Sequence, residues 1–125
     1  MNHIHTEKAA PPLGHYTQAI QHGDIIYTSG QLGIHPDTPT ELVNGIENQT
    51  QQALNNLDAI LKAANSSKEK VIKVTLFISD IKLWPKVNEV YAQYFGNHKP
   101  ARSAIPAPAL PMNALVEIEA IATVS

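Results

Sequence analysis

Between residues 46 and 78 the apolar spacing changes once, and that change leaves few folds open. Ile46, Thr50, Ala53, Leu54, Leu57, Ile60, Leu61 and Ala64 recur at steps of three and four, which places them on one stripe of a helix. Asn44 is predicted to cap its start and Asn65 to stop it. The spacing then becomes two. In Val71–Ile78, the set Ile72, Val74, Leu76 and Ile78 shares one face, as a strand covered by a helix requires.

The rest of the chain extends this pattern. Residues 16–21 and 24–29 read as a hairpin around His22-Gly23-Asp24, and a short strand through residues 31–34 runs into a Pro- and Asp-containing loop. A second helix is predicted from Trp84-Pro85, with Val87, Val90, Tyr91, Tyr94 and Phe95 as its stripe and Gly96 as its end. Pro100, Pro106, Pro108 and Pro111 exclude an ordinary central strand from that stretch, because each lacks the amide donor a ladder needs. In residues 115–124, Val116, Ile118, Ala120, Ala122 and Val124 share one face, with Glu117, Glu119 and Ile121 on the other. The order is β-β-β-α-β-α-β. This is an α+β protein, a mixed sheet with two helices on one face, and 125 residues make a single domain, 1–125.

Composition narrows the function. Nine basic and eleven acidic residues leave a net charge of −2, so no global field draws polyanions, and a nucleic-acid partner is not expected. Without cysteine there is no disulfide, thiolate ligand or thiol nucleophile. Charged residues make up 16%, below the ~25% usual for a globular domain, so a partner subunit is expected to cover apolar surface. The start, Met1-Asn2-His3-Ile4-His5, lacks a basic segment leading into an apolar one, and no 18 apolar residues run together. A cytoplasmic protein without membrane contact is the expectation.

No GxGxxG, GxxxxGK, HExxH or GxSxG motif is present. His3 and His5 have the spacing of two metal ligands on a strand, but no third ligand stands in a fixed relation to them, and no metal is expected. Lys62, Lys68, Lys70 and Lys73, interrupted by Glu69, read as a solvated face. Arg102 is more informative. It is the only arginine, it is flanked by prolines, and a guanidinium can pair a carboxylate through two parallel hydrogen bonds. Glu117 interrupts an apolar strand on the side a neighbour would cover, where a carboxylate can hold or deprotonate a water.

Taken in order, Thr6-Glu7, Gly14-His15-Tyr16, Thr28-Ser29-Gly30-Gln31, Val87-Asn88, Pro100-Ala101-Arg102-Ser103, Leu110-Pro111 and Val116–Ala122 resemble the reactive-intermediate deaminases, the YjgF-like or L-PSP endoribonuclease family. The resemblance spans nearly the whole chain. It implies a chorismate-mutase-like protomer assembled as a homotrimer, with sites between subunits. It also implies hydrolysis of 2-imino acids and their enamine tautomers, such as 2-iminobutanoate and 2-iminopropanoate, to 2-oxo acids and ammonia. By matching position, Arg102 would clamp the substrate carboxylate and Glu117 would orient or activate water. Tyr16, Ser29, Gly30 and Asn88 would line the cleft, and Ala104 would contribute its backbone. Neither metal nor cofactor is required, because an iminium carbon is already electrophilic.

Four features depart from the family pattern: Ala104 where many relatives carry Cys, His15 in place of a common Pro, the run Ile105-Pro106-Ala107-Pro108-Ala109 where the family is usually more polar, and a short Gly96–Lys99 connection. Two other readings accompany the deaminase: a ribonuclease or translation inhibitor, and a non-catalytic binder of small carboxylates.

Overall fold

The stripe on residues 46–64 builds the core. In the computed structural model, which describes residues 1–125, it is α1 (Ile46–Ala63), and Leu54, Leu57, Ile60 and Leu61 are buried along it. The chain runs β1 (Asn2–Ile4), β2 (Ala19–His22), β3 (Ile25–Thr28), β4 (Gln31–Leu32), α1, β5 (Val71–Ile78), α2 (Trp84–Phe95), β6 (Ala101–Pro106) and β7 (Val116–Thr123). The sheet order is β1-β2-β3-β7-β5-β6. β4 continues on the β3 side of β7, opposite Glu117 and Ile118. Only β5 and β6 are parallel, joined by the crossover through α2, so the sheet is mixed as expected.

Val74, Leu76 and Ile78 of β5 and Val116, Ile118 and Ala122 of β7 interdigitate with α1 and with Val87, Tyr91 and Phe95 of α2. Both helices therefore cover one face. Two buried polar side chains of α1 fasten the loops beside it: Asn56 Nδ2 donates to the Leu32 and Ile34 carbonyls, and Gln49 Oε1 accepts from the Leu115 amide. The contact is close enough that a Cβ on Gly33 would lie 2.5 Å from the Gln49 Cα, so only glycine fits there.

Four expectations need correction. Gly45, at φ 86°, precedes α1 in place of an Asn44 side-chain cap; the Asn44 carbonyl instead accepts from the Asn48 side chain. Ile72 is 46% exposed and Val71 takes its place in the core, because the pairing with β7 shifts register between Val71 and Lys73. The strand predicted from residue 16 begins at Ala19. Finally, two further strands exist: β1, added to the sheet edge, and β6 within the proline-rich stretch. β6 is an edge strand with Pro106 as its last residue, and an edge needs no donors on its outer side.

The face opposite the helices is bare. Tyr27 is 48% exposed and Ile105 42%, with Ile20, Phe77 and Ile121 half-buried.

Candidate active site

Arg102 pairs in register with Val74, whose side chain is buried beneath the helices, so the guanidinium points to the helix side. There it lies along α2. Its Cζ is 4.6 Å from the centre of the Trp84 ring and 4.9 Å from that of Tyr91, and Nη1 donates to Asn88 Oδ1 at 2.9 Å. No carboxylate approaches it; the ion pairs are Lys62–Asp58, Lys86–Glu47 and His35–Asp37. A cleft of about 350 Å³ opens beside it, lined by Asn88, Tyr91, Phe95, His98 and Lys99. Burial pushes the Tyr91 phenol up to about 12 against the opposing pull of Arg102, and its buried hydroxyl has no hydrogen-bond partner.

Glu117 lies on the other face. Alternation along β7 buries Val116 and Ile118 under the helices and turns Glu117 outward, opposite Leu32 and Phe77. Its carboxyl rests on Gly30: a Cβ there would stand 2.8 Å from Glu117 Cδ and 2.9 Å from Oε2. Burial, then the neighbouring charge of Glu119, holds the Glu117 carboxyl above the usual carboxylate range. The gap between β3 and β4 makes room for it. Across that gap the Thr28 hydroxyl accepts from the Ala120 amide, in place of a ladder bond. Ser29 is held by its hydroxyl donating to the Thr17 carbonyl at 2.6 Å and its amide donating to the Gln18 carbonyl. Tyr16 accepts from the Leu13 amide and, with Ser29, His3, His15 and Tyr27, borders a cleft of about 670 Å³.

A match to the family model described as Endoribonuclease L-PSP covers residues 6–124. The chain belongs to the L-PSP family. It is 43% identical over 119 residues to the 2-iminobutanoate/2-iminopropanoate deaminase of Mus musculus, 95% of this chain and 88% of that one. A RutC family protein of Pyrococcus horikoshii is 48% identical over 119 residues, 95% of this chain and 94% of the relative. Among solved structures, E. coli TdcF with bound serine superimposes with a TM-score of 0.95 at 37% identity, over the full length of both chains. The relatives' names support a reactive-intermediate deaminase of the Rid type. No helix is long and apolar enough to cross a membrane.

Within this one L-PSP chain the candidate residues form separate groups. Arg102 stands with Asn88, and Ala104, two residues along β6, lies half-buried on the same face. Glu117 stands with Gly30, while Tyr16 stands with Ser29. The Arg102 and Glu117 groups sit on opposite faces of the sheet, with β5 between their strands. Sequence reasoning did not connect Trp84 and Tyr91 to Arg102, having read Trp84 as a helix start and Tyr91 as core. A signal was present: Trp84, Asn88 and Tyr91 stand at i, i+4 and i+7, one stripe of α2.

Proposed function

We propose that this L-PSP protein is a cytoplasmic homotrimeric deaminase that hydrolyses 2-imino acids such as 2-iminobutanoate to 2-oxo acids and ammonia. The observation that carries this reading is the pairing of an uncompensated guanidinium with a carboxyl of raised proton affinity on opposite faces of one sheet. One chain cannot bring the two groups to one small molecule, but neighbouring copies in a closed ring can. The bare face carrying Tyr27 and Ile105 supplies the apolar area for that association.

Arg102 of one copy holds the substrate carboxylate bidentately, with Asn88 fixing its outer edge. Glu117 of the neighbour takes a proton from water as the water oxygen adds to the imine carbon. From the iminium form this gives a neutral carbinolamine. The proton then passes from Glu117 to nitrogen, the carbon–nitrogen bond breaks, ammonia leaves, and the hydroxyl returns its proton to the Glu117 carboxylate as the carbonyl forms. Tyr16, Ser29 and Gly30 line the neighbour's half of the cleft, and Ala104 contributes backbone to the half that holds Arg102. His15 and the short Gly96–Lys99 connection border those halves and set the substrate range. A small 2-imino acid suits a chain of net charge −2 better than RNA does.

Arg102→Ala removes a charged contact, with an expected loss of about 2 to 5 kcal/mol in transition-state binding and an unchanged melting temperature. The measurement is ammonia release from 2-iminobutanoate generated by a coupled dehydratase. Mixing subunits tests the shared site directly. When Arg102→Ala and Glu117→Gln chains are refolded together in equal amounts, about a quarter of the sites regain both native residues in any directional ring. Activity near a quarter of wild type supports the reading; a mixture as inert as its parents refutes it.

A further inference from the structure

We propose that Trp84 and Tyr91 are positioning residues that hold the Arg102 guanidinium ready for an incoming carboxylate, a role that rests on the carboxylate-clamp reading above. Trp84 and Tyr91 are two helical turns apart on α2, a rise of about 10 Å. Arg102 Cζ lies 4.6 and 4.9 Å from their ring centres, so the guanidinium fills the space between them. Both separations fall within the ~6 Å reach of a cation over an aromatic face. Asn88, midway between the rings, accepts one N–H.

An arginine on an exposed edge strand samples many rotamers, and that freedom is lost when a ligand binds. The rings restrict it beforehand. All three holding groups are neutral, whereas the acidic side chains that form ion pairs lie elsewhere, on Lys62, Lys86 and His35. An aspartate or glutamate in the same place would fix the side chain equally well and cancel its charge. Two π faces and an amide oxygen fix it and leave the charge for the ligand. A lysine ammonium can also rest over a ring, as Lys68 does over Tyr94, but it has no planar fork to lie along two rings while still pairing a carboxylate through two parallel hydrogen bonds.

Trp84 is the only tryptophan, so its emission reports on the cation beside it. The probe is 2-oxobutanoate, a stable 2-oxo acid. Saturating wild-type protein with it is expected to change Trp84 fluorescence. By calorimetry, Trp84→Leu, which keeps apolar bulk but no ring, weakens 2-oxobutanoate binding roughly 5- to 20-fold, and Trp84→Phe stays within about threefold of wild type. In imine turnover the same Leu variant raises KM by more than it lowers kcat, at a melting temperature close to wild type. Binding by Trp84→Leu as tight as wild type overturns the proposal. So does a Phe variant that fails as badly as Leu, or wild-type fluorescence that does not respond to the ligand. If wild-type protein binds 2-oxobutanoate with the fluorescence response but releases no ammonia from 2-iminobutanoate, the deaminase reading falls and the clamp stands.

Discussion

The two faces of the sheet obey different rules although the same strands make both. On the helix side, Val74, Leu76, Ile78, Val116 and Ile118 are fully buried in one apolar cluster. On the open side, their immediate neighbours Phe77, Glu117 and Glu119 are only half-covered, beside an exposed Tyr27. Stability is concentrated on the first face. The second carries ionisable groups and apolar area that the single chain leaves in water, the two things the proposed association and chemistry call for. Arg102 belongs to neither interior. It sits on the edge strand, where the helix-side face meets solvent.

Replacing one residue on each face separates the two roles. Leu76→Ala deletes fully buried methyl groups between the helices and β7, and about 2 to 5 kcal/mol of stability should go with them. For a domain of this size that is a melting temperature lower by about 10 °C or more. The native fraction should keep KM within a few-fold of wild type, because the nearest candidate site residue, Ala104 paired with Leu76, offers only its backbone. A melting temperature within a degree or two of wild type would contradict the division between faces.

Gly30→Ala acts on the open side. Gly30 has no positive φ, so alanine strains no backbone, but its Cβ would meet the Glu117 carboxyl at 2.8 Å. The movable partner is the end of a side chain, so the expected stability cost is below about 1 kcal/mol while Glu117 swings from its place. Activity should fall at least tenfold with little change in melting. The contrasting glycine is Gly33, where the obstacle is the α1 backbone at Gln49 and cannot give way. If Gly30→Ala unfolds the protein or leaves turnover intact, the Glu117–Gly30 contact does not organise the site.

Periodicity in the sequence located both helices and the two long strands, because those segments are governed by burial against each other. What it missed was set by contacts distant in sequence. The bulge that exposes Ile72 depends on pairing with β7, nearly fifty residues later. β6 was hidden by the prolines in and around it; the one it contains, Pro106, is tolerated as the last residue of a strand with a single neighbour. For the site, the residue types at Arg102 and Glu117 pointed to anion capture and water activation. Their placement on opposite faces followed only from the register of β5 with β6 and β7. The stripe Trp84, Asn88, Tyr91 was visible as spacing, yet nothing local to α2 says that the next strand sends its guanidinium back onto it.

The smallest expected effect tests the open face by pH. Burial raises the Glu117 pKa in the native protein above its ordinary 4.5, so the folded state holds that proton more tightly than the unfolded chain does. The sign follows. Glu117 costs no stability while it is protonated in both states, and stability then falls as pH rises from 4.5 through the raised value, since only the native carboxylate is desolvated. Glu117→Gln removes that fall. The variant should match wild type in acid and melt slightly higher at neutral pH, a modest gain because the side chain is only half-buried and partly screened. Its turnover should be lost at every pH. Melting curves of both proteins across the acid-to-neutral range decide the matter. A variant less stable than wild type at neutral pH would mean that the Glu117 carboxylate is favourably paired in the folded protein, and the open face would then not be the desolvated place that this chemistry needs.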